Sequence, residues 1–277
     1  MSIIFSLTCL QYTATKQESI TLKNIKPLIN KAIDAGSDFI TLPECATSIQ
    51  NNPELTKKLA TAEGENISLQ TFMELAKAHN LYILIGSLPI KLDHKIANRS
   101  FLIGPNGNIL YKYDKIHLFD VKLPNGEVFK ESNTYLHGSK AIIAIIKQKQ
   151  KIKIGMTICY DLRFPHLYQD LALNGAQIIT VPSAFSNTTG PIHWHTLLKA
   201  RAIETGCFIV APAQTGLHQC GRKSFGHSLI ISPWGEILAD AGKNVGLINA
   251  KIDLDEVRKA RLAIPSLKSK KKYSTNF

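Results

Sequence analysis

Three segments of the chain end an apolar run with a group able to do chemistry. In Thr41-Leu-Pro-Glu44 a carboxylate follows Asp38-Phe-Ile-Thr-Leu-Pro43, a run that reads as a buried strand stopped by its proline. In Tyr113-Asp-Lys-Ile-His117 an ammonium, Lys115, stands at the head of a long stretch without clear period. In Ile158-Cys-Tyr-Asp-Leu-Arg-Phe164 a thiol, Cys159, closes an alternating strand pattern and a helix pattern soon follows. Taken singly, Glu44 reads as a solvated loop acid, Lys115 as a surface charge and Cys159 as a small core residue. Taken together they supply what acyl transfer from an amide requires. A thiol must lose its proton to a base, which Glu44 offers, and the same carboxylate can activate the hydrolytic water. A developing oxyanion needs preorganised positive charge, which Lys115 and the backbone N–H of Tyr160 can provide. Glu131, in Phe-Lys-Glu-Ser, can pair with Lys115 and keep it charged and aimed.

The elements that must bring these groups together can be read from periodicity. Residues 2–8 form a β-rich run, and Ile25, Leu28, Ile29, Ala32 and Ile33 recur as one face of an amphipathic helix closed by Gly36. Leu69, Phe72, Met73 and Ala76 mark a second helix, followed by strands over 81–87, 100–103 and 108–112, the last two joined by Pro105-Asn106-Gly107. Residues 113–140 read as one long functional loop. A hairpin of 141–146 and 151–158 precedes a helix over 165–174, a strand over 177–181 and a helix over 191–205. Strands over 207–211, 227–231, 236–239 and 246–251 complete the pattern, and Asp253 caps a last short helix. Paired strand runs outnumber single crossovers, which predicts an α/β sandwich with mixed sheets. No internal repeat, linker or break in composition divides the 277 residues, so one domain spans 1–277, with 265–277 as a basic tail.

Composition excludes several classes. Hydrophobic residues at 44% and charged ones at 19% are ordinary for a folded enzyme and wrong for disorder. No apolar run reaches the roughly 20 residues of a membrane span, and the N-terminal segment lacks signal-peptide features, which predicts a cytoplasmic protein. Five scattered cysteines without a C-x-x-C pair suit a reducing compartment and suggest no zinc ligation. His193 and His195, two apart on a predicted helix, face different ways and make a poor metal pair. The net charge of +12 is concentrated in Lys268, Lys270, Lys271 and Lys272 and in alternating Lys147, Lys149, Lys151 and Lys153. No aromatic residues interleave them, so a solvated hairpin and a frayed tail are favoured over a nucleic-acid patch.

Along nearly its whole length the chain resembles the nitrilase (carbon–nitrogen hydrolase) superfamily. The Glu–Lys–Cys triad of that family matches Leu-Pro-Glu44, Tyr-Asp-Lys115-Ile-His-Leu-Phe-Asp and Cys159-Tyr-Asp-Leu-Arg-Phe-Pro, and its second glutamate matches Glu131. The resemblance implies a four-layer α-β-β-α sandwich that dimerises by stacking sheets into an αββα–αββα arrangement and often builds larger homo-oligomers. It also implies a thioester intermediate, release of ammonia or an amine, and no cofactor. Within the superfamily the chain looks most like the amidases of deaminated glutathione, with omega-amidases next. The residues that carry this are Pro182-Ser-Ala-Phe185, Thr189-Gly-Pro-Ile-His193-Trp194, Ala200-Arg-Ala-Ile-Glu204 and Arg222-Lys-Ser-Phe-Gly-His227-Ser, then Pro233-Trp-Gly. Both branches take small amides that carry carboxylates. Tyr160, Arg163, Phe185, Thr189 and His193 are the expected substrate contacts, and Arg222-Lys223 offers a further basic contact. A nitrilase proper or an N-carbamoyl-type amidase would share the triad but not the leaving group. A non-catalytic basic binding protein would not need the full set, and the local signature of a papain-like cysteine is absent.

Overall fold

The computed structural model describes residues 4–92, 95–148, 150–269, 271 and 273–275. The first half runs β1 (Ile4–Gln11), α1 (Glu18–Asp34), β2 (Phe39–Thr41), α2 (Pro53–Leu59), α3 (Ile67–His79), β3 (Tyr82–Lys91), β4 (Ile96–Ile103) and β5 (Ile109–Asp114). A connecting segment holds β6 (Asp120–Lys122), β7 (Val128–Lys130) and β8 (Tyr135–Leu136). Next come β9 (Ile142–Lys147), β10 (Lys151–Met156), α4 (Pro165–Leu173), β11 (Ile178–Thr180), α5 (Gly190–Thr205) and β12 (Phe208–Ala211). The chain closes with β13 (Thr215–Leu217), β14 (Lys223–Phe225), β15 (Leu229–Ile231), β16 (Ile237–Asp240), β17 (Gly246–Asp253) and α6 (Asp255–Ala263).

Two sheets carry the fold among the described residues. One has the order β17-β1-β2-β3-β4-β5, with β8 added to β4; the other has β16-β15-β12-β11-β10-β9. Each is mixed. In the first, β1, β2 and β3 are parallel, β17, β4 and β5 pair antiparallel and β8 adds parallel to β4; in the second, β10, β11 and β12 are parallel and the rest antiparallel. Period-two alternation sorts side chains between layers. Phe5, Leu7 and Cys9 of β1, with Tyr82 and Leu84 of β3, share a core with Ile152, Ile154 and Ile178 of the second sheet. Leu10, Ile40, Ile83 and Ile85 point the other way, onto Ile25 and Ile29 of α1 and Leu69 and Phe72 of α3. Leu167 and Leu171 of α4 and Trp194 and Leu198 of α5 cover the second sheet. The result is the expected four-layer α-β-β-α sandwich.

The differences from the sequence reading have local causes. Helix α2 was missed because it buries no residue and so has no apolar stripe; Pro53 and the Asn52 cap define it instead. The long loop over 113–140 contains β6, β7 and β8, strands of two or three residues, too short for alternation to register. Strand β10 ends at Met156, before Ile158, and Cys159 opens the 3-10 turn Cys159–Arg163. The Asp253 carboxylate accepts the N–H of Asp255 at 3.0 Å, though Leu254 stands at the helix boundary. The tail begins as a short turn, Ser266–Lys268, with Leu267 packed on the core. Lys149, Lys270 and Lys272 lie outside the described residues.

Candidate active site

Glu44 is positioned by the end of β2. Leu42 still bonds the ladder, its N–H donating to the Leu84 carbonyl at 2.9 Å, and Pro43 then turns the chain. Gly86 permits this approach, because a Cβ at that position would collide with the Leu42 and Pro43 carbonyl groups. Lys115 follows β5, and its backbone N–H donates to the Asn98 carbonyl on β4 at 3.1 Å. Here too a glycine is required: the N–H of Gly138 donates to the Lys115 carbonyl at 2.7 Å, and a Cβ there would meet the Asp114 carbonyl.

These elements converge on a buried charge network. Lys115 Nζ donates to Glu44 Oε1 at 2.8 Å and to the two Glu131 oxygens at 3.0 and 2.8 Å. Asn98, unremarked in the sequence, bridges both acids: its Nδ2 donates to Glu44 Oε1 at 3.1 Å and to Glu131 Oε1 at 3.0 Å. The Phe119 N–H fixes Glu131 Oε2 at 2.7 Å. The other Glu44 oxygen accepts the Ala184 N–H at 2.9 Å, a contact from the second sheet to the first.

Cys159 comes from the opposite sheet. Its φ of 47° is a left-handed conformation that side-chain-bearing residues rarely adopt, and its N–H donates to the Pro182 carbonyl at 3.0 Å. The turn is held by Asp161, which is fully buried. That carboxylate accepts the Ile158 N–H at 2.9 Å, the Tyr113 hydroxyl at 2.7 Å and the His117 N–H at 3.0 Å, and lies 2.7 Å from His117 Nδ1. One acid thereby ties the cysteine turn to the segment that carries Lys115. The His117 ring stacks on Phe164 with centroids 3.5 Å apart, closing the clamp.

Burial alone would raise the Glu44 carboxyl, but the Lys115 ammonium and the Ala184 N–H outweigh it and hold it below the ordinary glutamate range. Burial alone would lower the Lys115 ammonium, but Glu131 and Glu44 hold it well above its usual value. Burial, and then the charge of the Glu44 carboxylate, push Cys159 well above the ordinary thiol value, against the opposing charge of Lys115. The resting pair is therefore a neutral thiol facing a charged carboxylate. Glu44 thus stands as a proton acceptor beside the thiol.

The network forms the floor of a cavity of about 1270 Å³. Tyr160, Arg163, Phe185 and Thr189 line it, as do Phe119, Phe129, Arg222 and Lys223. The Arg163 guanidinium lies 6.0 Å from the Tyr160 ring centroid and 5.6 Å from that of Phe185, and Arg222 lies 5.8 Å from that of Phe129. Among the described residues neither arginine pairs with a carboxylate within 4.0 Å. His193 is not part of the cavity lining. Its Nδ1 lies 3.2 Å from Arg163 Nη2, and burial, then the arginine's charge, lower its affinity for a proton. Trp194 is fully buried, its ring 4.9 Å from that of Phe185 and its Nε1–H donating to the His227 carbonyl at 2.7 Å.

The carbon–nitrogen hydrolase family model matches residues 6–262. The chain belongs to the carbon–nitrogen hydrolase family. It is 39% identical over 262 residues to a Synechocystis protein named deaminated glutathione amidase, covering 93% of this chain and 95% of that one. It is 34% identical over 264 residues to the Xenopus tropicalis omega-amidase NIT2, covering 94% and 93%. Among solved structures it is similar to the C. elegans NitFhit protein, with a TM-score of 0.88 and 32% identity. That match covers 96% of this chain and 65% of the longer NitFhit chain. This carbon–nitrogen hydrolase places all four expected groups, Glu44, Lys115, Glu131 and Cys159, on the cavity floor. The sequence reading missed Asn98, which carries no local signal, and Asp161, which stood inside a quoted motif but was given no role.

Proposed function

We propose that Cys159, Glu44, Lys115 and Glu131 catalyse hydrolysis of a small carboxylate-bearing amide, with deaminated glutathione as the principal substrate. Sγ of Cys159 attacks the amide carbon while its proton passes to Glu44. The oxyanion is met by Lys115 Nζ and the Tyr160 N–H. The C–N bond then breaks and the leaving nitrogen takes the proton from Glu44. It departs as the amine of cysteinylglycine from deaminated glutathione, or as ammonia from a primary omega-amide, to leave a thioester. Glu44 next deprotonates water, which attacks the thioester; the acid leaves and the thiol is restored. Glu131 and Asn98 hold Lys115 and Glu44 in register throughout.

The observation that carries this reading is the Cys159 thiol beside the Glu44–Lys115–Glu131 chain at the floor of a cavity whose two arginines pair with no carboxylate among the described residues. Half-buried guanidiniums over aromatic walls suit a substrate carboxylate. The names of the similar proteins support the substrate and keep an omega-amide such as α-ketoglutaramate as the second reading. Hydrolysis is measured on deaminated glutathione by release of cysteinylglycine, and on α-ketoglutaramate, an uncharged primary amide, a nitrile and a carbamoyl amino acid by release of ammonia. Highest kcat/KM on deaminated glutathione, with KM raised in Arg222→Met, supports the proposal. Preference for the uncharged amide or the nitrile overturns it.

No helix among the described residues is long and apolar enough to cross a membrane. All five cysteines are free thiols, which supports a reducing, cytoplasmic location. We also place a homodimer contact on α5, the end of α6 and the β15–β16 turn, where Ile192, Ile203, Leu262, Ile264 and Trp234 are exposed. Ile203, Trp234 and Ile264 line one depression together. A Trp234→Glu change is expected to shift the protein to monomer in light scattering; an unchanged mass in both proteins would remove this assignment.

A further inference from the structure

A second group of ligand-type side chains lies away from the cavity. His195 stands on α5, His227 lies between β14 and β15, and Asp240 ends β16. None of them lines the active-site cavity. Asp240 Oδ2 lies 3.1 Å from His195 Nε2, and the two Asp240 oxygens lie 3.0 and 3.1 Å from His227 Nδ1. One donor atom from each residue falls within 4.8 Å of the other two.

Two imidazole nitrogens and a carboxylate form a donor set suited to borderline divalent ions. Zinc with ligands at about 2.0–2.1 Å in tetrahedral geometry spaces its ligand atoms by about 3.3 Å. The two nitrogen–oxygen separations already approach that spacing, so an ion can be admitted by small side-chain rotations.

The ligands are also held from behind, as metal ligands need to be. His227 has a φ of 55°, its N–H donates to the Gly242 carbonyl at 2.6 Å, and its carbonyl accepts Trp194 Nε1–H at 2.7 Å. The His227 ring stacks on Phe225 with centroids 4.5 Å apart. Asp240 Oδ1 accepts the Gly242 N–H at 2.8 Å, so the loop that positions the histidine also orients the acid. His195 and His227 are half-buried and Asp240 is exposed, which leaves one side of the group open to water.

We propose that His195, His227 and Asp240 form a three-ligand site for a zinc-like divalent ion, with the remaining coordination position open to solvent. The ion ties α5 to the β15–β16 pair. The sequence-level rejection of His193 with His195 stands, because His193 turns toward Arg163 and only His195 joins the site.

Metal-free protein is titrated with zinc by calorimetry and with cobalt(II) by visible absorption, alongside His195→Asn, His227→Asn and Asp240→Asn. A single saturable ion per chain is expected, with tetrahedral-type cobalt bands and a raised Tm. Loss of an outer-sphere partner typically weakens a site about 10–100-fold, so loss of a direct ligand here should weaken it more than that. Amide hydrolysis should persist in all three variants. His195→Asn, on an exposed helix face, keeps the test readable if His227→Asn unfolds. Absence of saturable binding overturns the proposal. So does wild-type affinity in His195→Asn and Asp240→Asn, or binding lost only in Cys159→Ala, which would put the ion in the active site.

Discussion

In the first sheet β1, β2 and β3 run parallel, followed by antiparallel β4 and β5; in the second, β10, β11 and β12 run parallel, followed by antiparallel β15 and β16. The middle parallel strands even end alike. Thr41 ends β2 and is followed by Leu42-Pro43, and Thr180 ends β11 and is followed by Val181-Pro182. The Leu42 N–H donates to Leu84 at 2.9 Å, and the Val181 N–H donates to Val210 at 2.8 Å. Past the prolines the halves diverge, with Glu44 in one and Ser183 in the other. The first half and its connecting segment carry every charge of the network, Glu44, Lys115 and Glu131, with Asn98 between them. The second half supplies the thiol and a backbone N–H, that of Ala184. One topology thus serves two tasks. Buried charges depend on one another for stability, whereas the thiol adds reactivity at small structural cost.

Substitutions test that division most directly. Cys159→Ala should remove measurable amide hydrolysis while changing unfolding free energy in urea by about 1 kcal/mol or less. A large loss of stability would break the contrast between the halves. Glu44→Gln should lower kcat by about 10²–10⁴-fold, since it removes the base but keeps the shape. Lys115→Met should lower kcat by about 10²–10³-fold. It should also destabilise the fold by about 3–5 kcal/mol, because two acids are left without their cation. Equal stability of Lys115→Met and Cys159→Ala would refute the assignment of stability to the charged half. Asn98→Ala should cost about tenfold in kcat with little change in KM, as it leaves the triad but loosens its register.

The pH dependence sharpens the same point. The Glu44 carboxyl is held below its ordinary value, so its contribution to stability is present above that value and is lost as pH falls through the folded one. The Lys115 ammonium is held above its ordinary value, so its contribution is present below that value and is lost only as pH rises through the folded one. Glu44→Gln should flatten the acid limb of a stability–pH curve, and Lys115→Met the alkaline limb. Cys159→Ala should leave the acid limb in place. It should relieve only the part of the alkaline limb that sets in as pH rises through the ordinary thiol value, because the folded thiol is held above it.

Much of the scaffold was legible. Amphipathic α1 and α3 and the alternating β9–β10 hairpin follow from period alone, because each has one face against a core. What escaped had no such signal. Helix α2 has no buried face, and β6, β7 and β8 are too short to alternate. The repeated strand order was also invisible, since topology conserves direction and pairing rather than residue identity.

By itself the sequence determined which residues could react and that each stands where an apolar run stops: Glu44, Lys115 and Cys159, with Glu131 as partner. Those properties are local, fixed by side-chain chemistry and periodicity. Only the tertiary structure decided that Asn98 bridges the two acids, that Asp161 clamps the cysteine turn and that Ala184 reaches Glu44 from the other sheet. It likewise turned His193 away from the cavity and brought His195 to His227 and Asp240. These contacts join residues far apart in the chain, and their geometry is set by how two sheets pack, which no local pattern encodes.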